Sequence, residues 1–173
     1  TIYRGLLFGA ESTGLTLFAD AAYAIHRDGK SHSGIVIMLD KSPILVQSLK
    51  QKLVTLSSTE AELEALVSGL KRLQPIRRLL KEIQLLAEPP TKVMQDNKST
   101  ITIAKSGEGY TGKNKHMRVR YHAVAEQVAN REIEFAHCPT LQMVSDMLSK
   151  PGGGSNFTDL VDMIVTNLPD IDD

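Results

Sequence analysis

The sequence predicts an α/β domain, on three observations. Three extended segments follow one another between residues 15 and 50, the periodicity turns helical at Thr59, and strand-like and helical patterns alternate from there on. With 173 residues, 42% of them hydrophobic, the chain can build one real core, and no mid-chain shift in composition asks for a second. The expected unit is a single domain over residues 1–168, with 151–155 as a flexible linker to a C-terminal helix at 156–168 and an acidic tail at 169–173.

Element by element, "LTLFADAAYA" is apolar on both faces through Phe18 and then meets Asp20, the pattern of a buried strand carrying one acid. "RDGKSHSG" is turn chemistry, and "GIVIMLD" and "PILVQSLK" are two more strands joined at "DKSP". Leu63, Leu66, Val67 and Leu70 then fall at i, i+3, i+4 and i+7 of a helix, and Pro75 either kinks it or begins another, since "IRRLLKEIQLL" is itself amphipathic. "AEPPT" stops that helix, "KVMQ" is a short strand ending at Asp96, and "NKSTITIAKS" is helical. "GEGYTGKNK" reads as a loop, "HMRVRYHAVAEQVAN" as a helix, "EIEFAHC" as a fifth strand and "TLQMVSDMLSK" as a helix with Thr140 at its N-cap. The last helix places Phe157, Leu160, Val161, Ile164, Val165 and Leu168 on one face.

Composition excludes several classes. The net charge is zero from 20 basic and 20 acidic residues, so any nucleic-acid-binding surface must be local. Aromatics are 5% and Trp is absent, which leaves little for base-stacking platforms. The lone Cys138 cannot form an internal disulfide, and no stretch resembles a membrane span or signal peptide, so an intracellular compartment is expected. The opening "TIYRGLLFGA" reads as extended structure without an initiating Met, and the expectation is a piece of a longer polypeptide.

The candidate chemistry lies in scattered acids. Asp20, in a strand buried on both faces, must be paired, protonated or bound to metal. Asp96 at a strand-to-helix junction could equally be an N-cap, and Asp146 taken alone is a solvated helix position. In "LSSTEAELEAL", Ser57 with Glu60 and Thr59 with Glu62 both fit a capping box, and helical geometry leaves the two glutamates equivalent. Together, acids from two strand ends and two helices could converge at one sheet edge, where they would repel unless divalent cations neutralised them.

"FADAAYA", "KQKLVTLSSTEAELEAL", "QDNKSTITIAK", "NKHMRVRYH" and "SDMLSKP" resemble, in order, the motifs of the ribonuclease H domain of copia-type (Ty1-like) LTR retrotransposons, the C-terminal part of their reverse transcriptase. The resemblance runs from about Tyr3 to Leu168 and implies a ribonuclease H-like α/β fold, a five-stranded mixed sheet flanked by helices. It places the catalytic and metal-binding acids on Asp20, Glu62, Asp96 and Asp146, with Glu62 preferred because "ELEA" follows the family's Glu-Leu-any-Ala pattern. Glu60 then keeps the cap and Glu64 the helix surface. Departures are Tyr23 where the family has Trp, Arg118 and Val119 for Asp and Ile, and Pro75; none removes an acid. No His precedes the last Asp, as is usual for the group, and His137 falls in a strand, where a structural role is expected.

The implied reaction is hydrolysis of the RNA strand of an RNA/DNA hybrid, leaving a 5′-phosphate and a 3′-hydroxyl. Two cations roughly 4 Å apart can activate water and stabilise both the transition state and the leaving oxygen. An all-carboxylate set suits two Mg²⁺ or Mn²⁺ ions, with Asp20 bridging both, Glu62 and Asp96 on the first and Asp146 on the second. Expected hybrid contacts are Ser33, Gly34, Asn97, Ser99, Lys115, His116 and Arg120, the last three from the one dense basic run, "GKNKHMRVRYH". A second cluster, Lys71, Arg72, Arg77, Arg78 and Lys81, is expected to be an exposed helix face that could meet the polymerase portion upstream in the same polyprotein. The expected location is the cytoplasm, in virus-like particles, or the nucleus, with no membrane partner. Transposases and integrases share this kind of sheet but place a glutamate late, whereas here the late acid is Asp146. The other alternative is a domesticated, non-catalytic domain that binds nucleic acid or protein.

Overall fold

The computed structural model describes residues 4–5, 14–85, 90–106, 115–150 and 155–167. In chain order the elements are β1 (Arg4–Gly5), β2 (Leu15–Ala22), β3 (His32–Leu39), β4 (Ser42–Lys50), α1 (Ser58–Glu82), β5 (Thr91–Gln95), α2 (Lys98–Ser106), α3 (Lys115–Ala129) and β6 (Ile133–His137). A 3-10 turn (Thr140–Gln142), α4 (Asp146–Ser149), α5 (Ser155–Asp162) and β7 (Thr166–Asn167) complete the chain. The main sheet is five-stranded and mixed, in the order β4-β3-β2-β5-β6, and β1 and β7 form a separate antiparallel pair.

β2, β3 and β4 form an antiparallel meander, while β5 and β6 join it in parallel, with helices supplying the crossovers that parallel pairing needs. Pro43, which cannot donate to a ladder, sits in the edge strand β4 beside a register shift opposite Ile37 and Met38. Alternation along the central strands divides the core in two. Leu15, Leu17, Ile35 and Ile37 face Leu63, Leu66, Leu70 and Leu73 of α1, with Met117, Tyr121 and Val124 of α3 behind. Val36 and Met38 face the opposite way, against Val144, Leu160 and Ile164.

Two glycines let helices approach the sheet closely. A Cβ on Gly69 of α1 would lie 2.9 Å from the Leu17 side chain. A Cβ on Gly34 of β3 would lie 2.1 Å from the Ser145 carbonyl oxygen and 3.0 Å from both Leu148 Cβ and Ser149 N. α4 therefore rests directly on the backbone of β3.

Some expectations give way. α1 continues through Pro75 as one 25-residue helix, with Pro75 on its exposed side. "TLQMVSDMLSK" is two short pieces, because Met143 leaves the helical region at φ −78°, ψ 87°, and Ser145, not Thr140, precedes the helical turn that holds Asp146. The expected helix at 156–168 runs from Ser155 to Asp162, and the chain then turns so that Thr166–Asn167 can pair with β1. In the second basic cluster Lys71, Arg78 and Lys81 are exposed, but Arg77 is buried and donates to Thr91 Oγ1, and Arg72 bonds the Ser68 carbonyl at 2.8 Å. The residues expected as linker, apart from Ser155, and the acidic tail lie outside the described residues, as do 107–114 with Lys113.

Gly34→Ala is expected to cost about 1–3 kcal/mol, because its clash is with backbone and α4 must move. Gly14→Ala, whose added Cβ meets nothing nearer than 3.8 Å among the described residues, should stay within about 0.5 kcal/mol of the parent. Urea denaturation of both variants measures the difference.

Candidate active site

β2 and β5 are parallel neighbours, paired as far as Phe18 and Met94. Asp20 and Asp96 each lie two residues further on, so the pairing alone brings both to one edge of the sheet. Asp146 opens α4, which Gly34 admits onto the strand position directly opposite Asp20. One carboxylate oxygen each from Asp20, Asp96 and Asp146 lies within 4.8 Å of the others. Asp20 and Asp146 are buried, at 3% and 5% exposure, and Asp96 is half-buried.

Each acid is held by identifiable partners. Ser149 Oγ donates to Asp20 Oδ2, and Lys150 Nζ lies 2.7 Å from Asp146 Oδ2 and 3.7 Å from Asp20 Oδ2. Thr140 Oγ1 donates to Asp96 Oδ2 at 3.3 Å. The capping alternative for Asp96 falls away, because Asn97 Oδ1 accepts the N–H groups of Ser99 and Thr100 at 2.9 and 3.3 Å. The buried Gln95 side chain accepts Asp96 N–H at 2.9 Å, which leaves the Asp96 carboxylate for other work.

The three glutamates separate by position. Glu60 is buried and caps: its amide donates to Ser57 Oγ at 3.2 Å, and its Oε2 accepts Leu56 N–H at 2.9 Å. Glu62, half-buried on α1, is not one of the three grouped acids; its Oε1 accepts from Asn97 Nδ2 at 3.1 Å and its Oε2 from Thr100 Oγ1 at 2.6 Å. Burial raises its pKa, the bonds from Thr100 and Asn97 oppose that rise, and the charges of Asp96 and Asp20 add to it. Glu64 is not the surface residue expected; it pairs with Arg120, tying α1 to α3. Arg120 is therefore engaged inside the helix pair.

Two expected hybrid contacts are covered. Ser33 is buried and accepts from Gln51 Nε2 at 2.9 Å, and Gly34 lies under α4, because each faces a helix packed on the sheet. Ser99 is exposed on α2, and Lys115 and His116 are exposed at the first turn of α3. Sequence reasoning did not single out Thr100, Ser149 or Lys150, although the i+3 and i+4 spacing of the last two from Asp146 was a usable signal.

The electrostatics fit a divalent cation. Burial, and secondarily the Asp20 charge, raise the Asp146 pKa to about 6 against the opposing Lys150 bond. Asp146 Oδ1 is buried with no hydrogen-bond partner among the described residues, an acceptor left for a ligand. The donors are all carboxylate oxygens, and the nearby Cys138 thiol is pushed up by burial and by the charges of Asp96 and Asp146, which disfavours a thiolate. That set suits Mg²⁺ or Mn²⁺ better than zinc. Because the folded pKa of Asp146 lies above its unfolded value, its stabilising contribution is full below about pH 4 and is lost as pH rises through about 6. Asp146→Asn has no charge to desolvate. In EDTA at about pH 8 it should melt at a higher temperature than the parent, with the gap closing towards about pH 4, as Tm against pH will show.

No family model matches the chain. It is 30% identical over 157 residues to the Retrovirus-related Pol polyprotein from transposon RE1 of Arabidopsis thaliana, covering 90% of this chain and 11% of that protein. It is 33% identical over 146 residues to the corresponding polyprotein from transposon TNT 1-94 of Nicotiana tabacum, covering 84% and 11%. The Transposon Ty1-ER2 Gag-Pol polyprotein of Saccharomyces cerevisiae matches at 27% over 138 residues, 79% of this chain and 8% of that one. The chain thus spans about a tenth of the length of these relatives. Among solved structures, LC11-RNase H1 isolated from compost superposes with a TM-score of 0.56 at 19% identity, over 74% of this chain and 86% of that one. The N-terminal RNase H domain of rv2228c from Mycobacterium tuberculosis gives 0.52 at 19%, over 79% and 91%. The chain is accordingly a relative of one segment of the copia/Ty1-type retrotransposon Pol polyproteins, and its fold is that of ribonuclease H.

Proposed function

We propose that the domain hydrolyses the RNA strand of RNA/DNA hybrids, with Mg²⁺ or Mn²⁺, during reverse transcription of a retrotransposon. The observation that carries this reading is the convergence of Asp20, Asp96 and Asp146 from two strand ends and a helix, within 4.8 Å and with Asp146 Oδ1 unpartnered among the described residues. Two structural neighbours, LC11-RNase H1 and a foamy viral protease-reverse transcriptase, are known in complex with RNA/DNA hybrid.

Asp20, Asp96 and Asp146 would hold the ions, and Glu62 joins them from α1. A pair of divalent ions supplies activation of water and neutralisation of charge at the phosphodiester. The chain's own residues prepare for this. Asn97 and Thr100 aim the Glu62 carboxylate, Thr140 and Ser149 fix Asp96 and Asp20, and Lys150 offsets the negative charge between Asp146 and Asp20. Ser99, Lys115 and His116, all exposed, would meet the sugar-phosphate backbone, with recognition resting on shape and 2′-hydroxyls. Arg120, held by Glu64, sets the position of α3. The polymerase portion upstream in the same polyprotein would supply further grip on the hybrid, and the particle or nucleus in which reverse transcription takes place would be the site of action.

Asp96→Asn should lower hybrid cleavage by more than about a hundredfold, since even the outer hydrogen-bond partners of metal ligands are worth about 10–100-fold. Its circular dichroism should match the parent's. Parent-like cutting by this variant would sink the assignment, and so would inactivity of the parent even when the polymerase portion is attached. Glu62→Gln should lose cleavage, whereas Glu60→Gln should retain it, because an amide oxygen can still accept the Leu56 N–H. The opposite pattern would make Glu60 the ligand.

A further inference from the structure

A chain of side-chain hydrogen bonds at the end of the β3–β4 ladder leads to α4. His26 Nε2 lies 3.0 Å from His32 Nδ1, His32 Nε2 lies 2.8 Å from Ser48 Oγ, and Ser48 Oγ lies 2.7 Å from the Leu148 carbonyl oxygen. Its direction is fixed by its last member. A carbonyl only accepts, so the Ser48 hydroxyl donates to Leu148, and a hydroxyl has one proton to give. His32 Nε2 must then donate to Ser48. In a neutral imidazole the other nitrogen is bare, so His32 Nδ1 accepts from His26 Nε2–H. Burial and the neighbouring His26 lower the His32 pKa, which favours this neutral form.

The chain ends two residues from Asp146. Ser48 pairs with Gly34 in the β3–β4 register, and Gly34 is where the backbone of α4 comes down on the sheet. α4 has only four residues, and a helix that short has little stability of its own. We propose that Ser48 and His32 are positioning residues for Asp146: they pin α4 to the outer strands through the Leu148 carbonyl, while Ser149 fixes it to Asp20 on the inner side. His26 orients the His32 ring. The role assigned to Asp146 rests on the function proposed above; the tether itself does not.

The test compares Ser48→Ala, which removes the hydroxyl, with Ser48→Thr, which keeps it. Amide exchange at Ser149 and Lys150, whose N–H groups close α4 onto the Ser145 and Asp146 carbonyls, should quicken about two- to tenfold in Ser48→Ala. Ser48→Thr should restore the parent rate. Calorimetric titration with Mn²⁺ should show affinity weakened by a similar factor in Ser48→Ala and restored in Ser48→Thr. Nitrogen NMR of the parent should show His32 protonated at Nε2. Unchanged exchange in Ser48→Ala, a Ser48→Thr that behaves like Ser48→Ala, or a His32 proton on Nδ1 would each overturn the tether. Unchanged Mn²⁺ affinity alongside faster exchange would overturn the positioning role. A parent that binds no Mn²⁺ would count against the metal-dependent reading and also remove the role at Asp146, with exchange still deciding whether the tether exists.

Discussion

Three carboxylates share a space in which their oxygens come within 4.8 Å, two of them on buried residues, and much of the surrounding structure answers that repulsion. Burial, with the neighbouring acidic charges adding to it, pushes Asp146 and Glu62 towards the neutral form. Lys150 is the ammonium drawn in: its own pKa is raised, burial being outweighed by its bond to Asp146 and the charges of Asp20, Asp146 and Asp96. Thr140 and Ser149 add neutral donors. One monovalent cation and two hydroxyls do not balance three aspartates, and Asp146 Oδ1 is left without a donor among the described residues.

The fold makes this concentration possible by splitting the task between two faces of one sheet. The large apolar interface with α1 and α3 gives the sheet its rigidity, and β2 and β5 project Asp20 and Asp96 from that rigid body. The smaller interface with α4 and α5 brings Asp146. Its accuracy depends on one missing side chain, since any residue larger than Gly34 would hold the Ser145 carbonyl away. Glu62 comes from the large interface and Asp146 from the small one, so the acids report on whether both cores are packed.

Strong periodicity made most of the fold legible. The three-strand meander, the long helix and the two later strands follow from alternation and from the Leu63–Leu66–Leu70 stripe, because burial on a regular element leaves a regular trace. Where tertiary contacts override local pattern the reading failed. "TLQMVSDMLSK" has helical composition, yet Thr140 and Ser149 bond acids just past the end of β5 and on β2 at once, and one straight helix does not do both. Glu60 and Glu62 were indistinguishable by helical angle, and what separates them is which segment each meets: 56–57 before its own helix for the first, Asn97 and Thr100 at the start of α2 for the second. Ser33 and Gly34 looked like exposed turn residues because nothing local reveals that Gln51, itself bonded to Ala61 of α1, covers the first, or that α4, more than a hundred positions later, covers the second.

The pairing of Arg4 and Gly5 with Asn167 and Thr166 joins positions roughly 160 residues apart. Closing a loop of that size in an unfolded chain costs about 4–5 kcal/mol of entropy beyond a fixed term, more than two residue pairs can return. The clasp therefore forms only after the intervening sheet has brought both segments together. Inside a long polyprotein it would make entrance and exit neighbours, so that tension along the chain would fall on this small ladder before reaching the acids.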